Sequence, residues 1–180
     1  ADAQLHLGVL ALIVGLLAGG VIIGFRMLIE TTQGAFLPGG DTENYEALPA
    51  WLRFALPALG GLCIGLLLQR LPRTMRGVGV VHVMERLAYH QGRLPLGNFL
   101  VQFFAGAISI ISGHSVGREG PGVHLGATSG SLLGRWLQLP NNSIRTLVAC
   151  GVAASIAASF NPPLAGVVFA MERRQYIPVG

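Results

Sequence analysis

The chain has 180 residues, of which 52% are apolar and only 11% charged, against a charged share of about 25% in soluble domains. Its formal charge of +4 comes from 12 arginines, no lysine and 8 acids. Scarce acids set that balance, not a basic stripe with interleaved aromatics, so nucleic-acid binding has little support, and the apolar composition places the chain in a bilayer.

Residues 7–25 are uncharged and apolar all round, with small residues at Gly8, Gly15, Ala18, Gly19, Gly20 and Gly24. About 20 such residues cross a hydrocarbon core of about 30 Å as a helix, and the small residues let a neighbouring helix approach closely. No Arg-rich leader precedes this run, which is longer than a signal-peptide core. Residues 34–49 read as a loop carrying Asp41, Glu43 and Glu46 with no basic residue. A second apolar run covers 54–68. Arg70, Arg73 and Arg76 follow at 69–77 without an acid. Under the positive-inside rule the Arg loop is cytoplasmic, the acidic loop external and the N-terminus cytoplasmic.

Residues 78–90 are mixed and too short to span. A third apolar run covers 94–112, and 113–121 is a polar, Gly-rich break. Residues 122–139 predict a helix rich in small residues, 140–143 a turn that can cap the next helix, and 144–159 an Ala-rich helix. Asn161, Pro162 and Pro163 interrupt it, and Pro163 suits the first turn of a last helix at 164–171, ended by Glu172, Arg173 and Arg174. Full spans thus alternate with short, broken segments. Broken helices at membrane depth are tolerated only where their backbone is buried in protein or lines a cavity, and in transporters such breaks form the binding site.

The break at 112–121, SGHSVGREGP, carries the chemistry. Ionisable residues between apolar helices are costly and point to function. Gly117 and Gly120 allow the backbone to turn and approach a ligand, and Pro121 suits a helix start, whose N–H groups and partial positive charge bind anions. Glu119 adds a tethered carboxylate. Ionised, it can take the place of a small anion; protonated, it loses that attraction and swings away, giving a proton-sensitive gate. The alternative is an Arg118–Glu119 ion pair that only caps the helix.

The stretch GREGP at 117–121 resembles the signature of the CLC chloride channel/transporter family. FNPPLAGVVFAMER at 160–173 is similar to the family's FNAPLAGxxFxxE segment, and GVGVV at 77–81 stands where the family has GSGIP. The resemblance runs over the whole chain, as the N-terminal half of a family subunit whose second, inverted half is not in these residues. It implies Glu119 as the external gating glutamate, with the backbone around Arg118, Glu119 and Gly120 facing an anion. It also implies that Gly77, Val78 and Gly79 start a second half-helix facing a central anion site. A homodimer with one pore per subunit is implied by resemblance only. Two departures stand out. Val78 replaces a serine whose hydroxyl contacts the anion, and Val81 replaces the motif's proline. Arg173 stands where antiporters carry a proton-relay glutamate, while Glu172 matches the helix-end Glu before it; Glu119 and Glu172 are the proton-pathway candidates.

Other signals are set aside. Gly113 to Gly117 matches G-x-S-x-G, but no strand precedes it and no later Asp completes a triad. His82, His90, His114 and His124 lack a Cys or carboxylate at ligand spacing and read as surface or helix-end residues. Cys63 and Cys150, inside apolar runs, read as buried small hydrophobes. Met75, Met84, Phe103 and Phe104 read as packing, and Gly77-Val78-Gly79 lacks the third glycine of a dinucleotide fingerprint. The expectation is an all-α, polytopic integral membrane protein with tilted and broken helices, CLC-like. It is a multi-pass protein of the cell (inner) membrane that moves chloride or another small anion, with or without protons. It is not an enzyme and needs no cofactor or metal. A proton-coupled antiporter and a degenerate, non-transporting scaffold are the competing readings.

Overall fold

The computed structural model describes residues 2–37 and 44–160. Among these residues six α-helices follow one another: α1 Asp2–Phe36, α2 Ala50–Arg70, α3 Gly79–Tyr89, α4 Leu96–Ile111, α5 Glu119–Trp136 and α6 Asn141–Phe160. Among the described residues every regular element is helical. The proposed last helix at 164–171, the motif from Asn161 onward, and Asp41, Glu43, Glu172 and Arg173 lie outside the described residues.

The first helix is longer than its uncharged run. It has 35 residues and continues through the stretch read as the start of a loop. Arg26 and Glu30 pair one turn apart at 3.1 Å, and the hydroxyls of Thr31 and Thr32 donate to the carbonyls of Met27 and Leu28 at 2.6 Å. Polar side chains satisfied on the helix itself do not interrupt it. At about 1.5 Å per residue α1 measures roughly 52 Å, well beyond a bilayer core of about 30 Å, so it must tilt or project.

Val14, Ala18, Ile22, Phe25, Ile29 and Gln33 form the buried stripe of α1, spaced three or four residues apart, whereas Leu5, Leu12, Leu16, Ile23 and Met27 point outward. A helix packed on one stripe and apolar on the other belongs to a membrane protein, not to the surface of a soluble one. The second helix is more exposed still. Gly60 is its one buried residue, seated against Ser112 and His114, while Leu59, Leu62 and Leu66 face outward. Cys63 is exposed and Cys150 partly so. This corrects the expectation that both are buried: α2 touches the bundle along too narrow a line to cover Cys63. Both α1 and α2 are long and apolar enough to cross a membrane, and α4 is a shorter apolar helix.

At the centre lies α5, packed by α1, α3, α4 and α6 and buried continuously from Pro121 to Thr128. One apolar cluster joins Val83, Leu94, Val123, Ala127, Ile144, Val148 and Val152; a second joins Ile22, Phe25, Ile29, Ala107, Ile110 and Leu125. Between them the α3–α4 connection is held by Ser131 of α5. Its hydroxyl accepts from the Leu94 N–H at 2.8 Å and donates to the Gly92 carbonyl at 2.6 Å, so the buried backbone there is paired.

The segment before α2 is tied down by Tyr45. Its hydroxyl accepts from Gln33 Nε2 at 2.9 Å and lies 2.8 Å from the Ile111 carbonyl at the end of α4. Tyr45→Phe would strip a partner from Gln33, whose residue is almost fully buried, at a cost of about 1–3 kcal/mol. The expected result is a thermal unfolding midpoint several degrees lower in detergent, with the overall fold intact by circular dichroism.

Candidate functional site

Between α4 and α5 the chain turns through residues 112–118. Gly113 has φ +76°, and the Tyr45 ring lies where a side chain on Gly113 would project. The following helix starts at Glu119, with Arg118 as its N-cap and no side-chain cap hydrogen bond. Pro121 is therefore the third helical residue, where a missing N–H costs nothing. An uncapped first turn leaves N–H groups facing outward together with the positive end of the helix dipole. The sequence placed Glu119 in the break. The structure puts it one step further on, as the first residue of α5, because Gly117 and Arg118 complete the turn.

The Glu119 carboxylate folds back over Gly117, so that any β-carbon at 117 would overlap it. The overlap is with the end of a flexible side chain, so a larger residue at 117 would displace the carboxylate rather than the backbone. Among the described residues Glu119 makes no ion pair, whereas Arg118 Nη1 lies 3.5 Å from Glu30 Oε1 of α1. The Arg118–Glu119 pairing weighed above is thus not what the geometry favours. The pair Arg118–Glu30 is partly exposed and contributes little stability, but it draws the guanidinium toward α1. A cleft of about 510 Å³ opens here, lined by Gln33, Tyr45, His114, Gly117, Arg118 and Glu119 among others. A side chain on Gly120 would project into open space.

The second helix start is built differently. Val78 is the N-cap of α3, with extended backbone and no side-chain cap. Gly79 follows at φ +84°, a conformation that favours glycine. Only backbone N–H groups are offered at this start, since valine has no donor. Val81, which replaces the expected proline, is largely exposed. Asn98 of α4 holds the approach: its Nδ2 donates to the Gly77 carbonyl at 2.6 Å and the Thr74 carbonyl at 3.2 Å.

Gly117, Arg118 and Glu119 thus line one cleft, whereas Gly120 and Pro121 are not part of its lining, nor are Gly77, Val78 and Gly79, which form a separate start. The fourth helix links the two. Asn98, near its beginning, holds Gly77. Gln102, one turn on, and Pro121 of α5 both approach Gly106. The same helix runs from the Arg-rich turn at its start to Tyr45 and the acidic loop at its end. Glu30, Gln33, Tyr45, Asn98 and Gln102 were not singled out from sequence. Asn98 and Gln102 carry a usable signal, two amides four residues apart on one face of an apolar helix.

The histidines divide. His90 is exposed and His114 partly buried, its Nδ1 3.1 Å from the Ser109 carbonyl. His82 and His124 are buried and stacked, with ring centroids 5.6 Å apart. This corrects the reading of all four as surface or helix-end residues, because α3 packs its inner face onto α5.

An all-helical bundle in which two long apolar helices are followed by shorter, interrupted ones has the architecture of a polytopic membrane protein. Comparisons with known proteins fix the lineage. A family model described as "Voltage gated chloride channel" matches residues 60–176. A ClcB-like chloride channel protein of Ralstonia nicotianae is 40% identical over 157 residues, covering 83% of this chain and 36% of that protein. The voltage-gated ClC-type chloride channel ClcB of Escherichia coli K12 is 33% identical over 172 residues, covering 93% of this chain and 41% of that protein. The crystal structure of a CLC-type fluoride/proton antiporter superposes with a TM-score of 0.70 at 31% identity, covering 94% of this chain and 40% of that one. The chain belongs to the voltage-gated chloride channel family. It spans about two fifths of the length of these relatives.

Proposed function

We propose that these residues form one half, the N-terminal half, of the transmembrane domain of an anion transporter or channel, with chloride as the first substrate and Glu119 as its proton-sensitive gate. One observation carries the reading. An ionisable side chain sits in the first turn of an uncapped helix start, folded over a glycine at the mouth of a cleft. A free anion and an ionised Glu119 would compete for the same N–H groups of residues 117–120, and protonation would release them. The N–H groups at Gly77, Val78 and Gly79 would form a second stop along the path.

The Tyr45 anchor supports placing the gate on the side of the acidic loop, external if the Arg70–Arg73–Arg76 turn is cytoplasmic. A homodimer, contact with bilayer lipid, residence in the cell (inner) membrane with a cytoplasmic N-terminus, and a proton route through Glu119 and Glu172 belong to the same reading. No catalytic role is assigned to any residue.

Fluoride with proton exchange is the second reading. It is favoured by the likeness to a CLC-type fluoride/proton antiporter and by Val78, which offers no hydroxyl at the α3 start. The test is efflux of chloride and of fluoride from liposomes holding the full protein, with internal pH followed at the same time. Chloride efflux supports the first reading. Fluoride efflux in marked preference, with opposed proton movement, supports the second. Absence of both from folded protein overturns anion transport. Val78→Ser adds a cap and a donor, and should raise chloride affinity roughly five- to tenfold by calorimetry, since one hydrogen bond to a charged group contributes about 1.5–3 kcal/mol before losses.

A further inference from the structure

Several buried polar atoms of this bundle find no partner, among them Gln33 Oε1 and Arg145 Nε. Among the described residues they include His124 Nδ1 and Nε2, His82 Nε2, Asn98 Oδ1 and Gln102 Oε1, contributed by α5, α3 and α4. All four side chains are more than nine-tenths buried: His124 and Asn98 completely, Gln102 with 6% and His82 with 8% exposed. A neutral imidazole carries one donor and one acceptor, and in His124 both stand idle. Burial of that kind is stable only where something able to donate and accept reaches the ring.

The imidazoles of His82 and His124 stack at 5.6 Å with their planes 27° apart. Ring nitrogens direct their lone pairs within the ring plane, so stacked rings do not converge on one metal ion. Nor do described His, Cys, Asp or Glu side chains gather in a group of three that could hold one. The partner these nitrogens suit is the proton, carried by water. Two cationic rings at this separation would repel strongly, which limits the pair to one proton. His82 also lies directly beneath the second helix start, since a β-carbon on Gly77 would fall 2.5 Å from its Nδ1.

We propose that His82 and His124 form a buried one-proton site whose charge draws an anion to the helix start at Gly77, Val78 and Gly79. In the loading step a hydronium ion gives its proton to an imidazole nitrogen, leaving water and one imidazolium; unloading is the reverse, and no other bond changes. The positive charge then stands beside the start that lacks a side-chain donor. The other charged groups acting on His82 are Arg86, Glu85 and His90 of its own helix and its end, and the group acting on His124 is His82. The packed helix α4 contributes no ionisable side chain. Of the other packed helices, α6 contributes Arg145, whose stem lies near Gly92; α1 contributes the exposed His6 and Arg26 and Glu30, which are engaged near Arg118; and α5 itself carries Glu119 at its start and Arg135, which faces the Leu94 carbonyl, at its end. The proton site rests on the packing of α3 against α5; only its effect on an anion rests on the transport reading.

The test is nitrogen-15 NMR of histidine-labelled full protein in phosphatidylcholine vesicles, titrated from roughly pH 9 to 4 with and without chloride, across the range in which imidazoles change charge. His82→Gln and His124→Gln assign the signals. The expected result is one imidazolium for the two rings in the wild type, one on the remaining ring in each variant, and a chloride-dependent rise of the wild-type midpoint by about half a pH unit or more. Should either variant fail to fold, a background with the exposed His6 and His90, and every histidine beyond these 180 residues, replaced by Gln leaves His114 as the one other signal, and the wild-type count still decides. Two rings that stay neutral throughout, or that take up two protons independently, overturn the site. One-proton uptake that chloride does not move overturns the coupling while leaving the site standing. Absence of anion flux in liposomes, which bears on the transport reading, does not alter the proton count.

Discussion

Glu119→Gln is expected to raise anion flux at neutral pH by about tenfold and to flatten its dependence on pH. The sign follows from competition. If Glu119 is the gate, its ionised carboxylate would compete with the anion for the N–H groups at the start of α5, so wild-type flux should be low at high pH and rise as pH falls. Glutamine has the protonated side chain's shape without its titration, so the variant should hold the open behaviour at every pH. A tenfold change corresponds to about 1.4 kcal/mol, toward the upper end of the roughly 0.3–2 kcal/mol that a charge at a helix N-terminus contributes. Glu119→Asp keeps the charge but shortens the reach to Gly117, and should fall between the two. The measurement is initial efflux from liposomes across roughly pH 5 to 8 for the three proteins, with proton movement recorded alongside. Persistence of the wild-type pH profile in Glu119→Gln would remove Glu119 as the gate and shift attention to the histidine pair beneath the other helix start.

Much of this arrangement was legible in the sequence, for identifiable reasons. Apolar runs located α1, α2, α4 and α6, because a bilayer demands length and apolarity of any helix that crosses it. Glycine and proline marked the break before α5, because turns need them locally. Element ends were read less well. The first helix ran on through Arg26, Glu30 and Thr31, whose polar groups are satisfied within the helix itself, and Glu119 proved to be the first helical residue. Side-chain partners across the fold were not legible. Arg118 pointed in sequence to its neighbour Glu119, and its observed partner Glu30 lies 88 residues away. His82 and His124 looked like surface residues because each stands near a helix end or a glycine-rich stretch, and nothing local states that α3 lays one ring on the other. The small residues of 122–139 were noted as permissive, but which of them meets another backbone is set by the pairing of α5 with α6.

That pairing yields the largest structural effect. Gly122, Gly126, Gly130 and Gly134 recur every fourth residue along one side of α5, the spacing at which small residues let membrane helices touch backbone to backbone. The contact is not uniform. A β-carbon on Gly126 would overlap the Gly151 carbonyl, and one on Gly130 the Leu147 carbonyl, whereas one on Gly134 would meet Ile144 at 3.0 Å and one on Gly122 the Ser159 hydroxyl at 3.3 Å. Carbonyls of a packed helix cannot swing aside as a hydroxyl can. Gly126→Leu should therefore exceed the usual overpacking cost of about 1–3 kcal/mol, lowering the thermal midpoint by roughly 10 °C or preventing assembly, while Gly122→Ala should shift it by a few degrees at most. The consequence reaches the candidate site, because α5 that is pushed off α6 carries Glu119 and His124 with it. Thermal unfolding followed by size-exclusion chromatography in detergent separates the cases: equal tolerance of the two substitutions would mean that α5 and α6 do not meet through Gly126 and Gly151, and that the placement of Glu119 depends on other contacts.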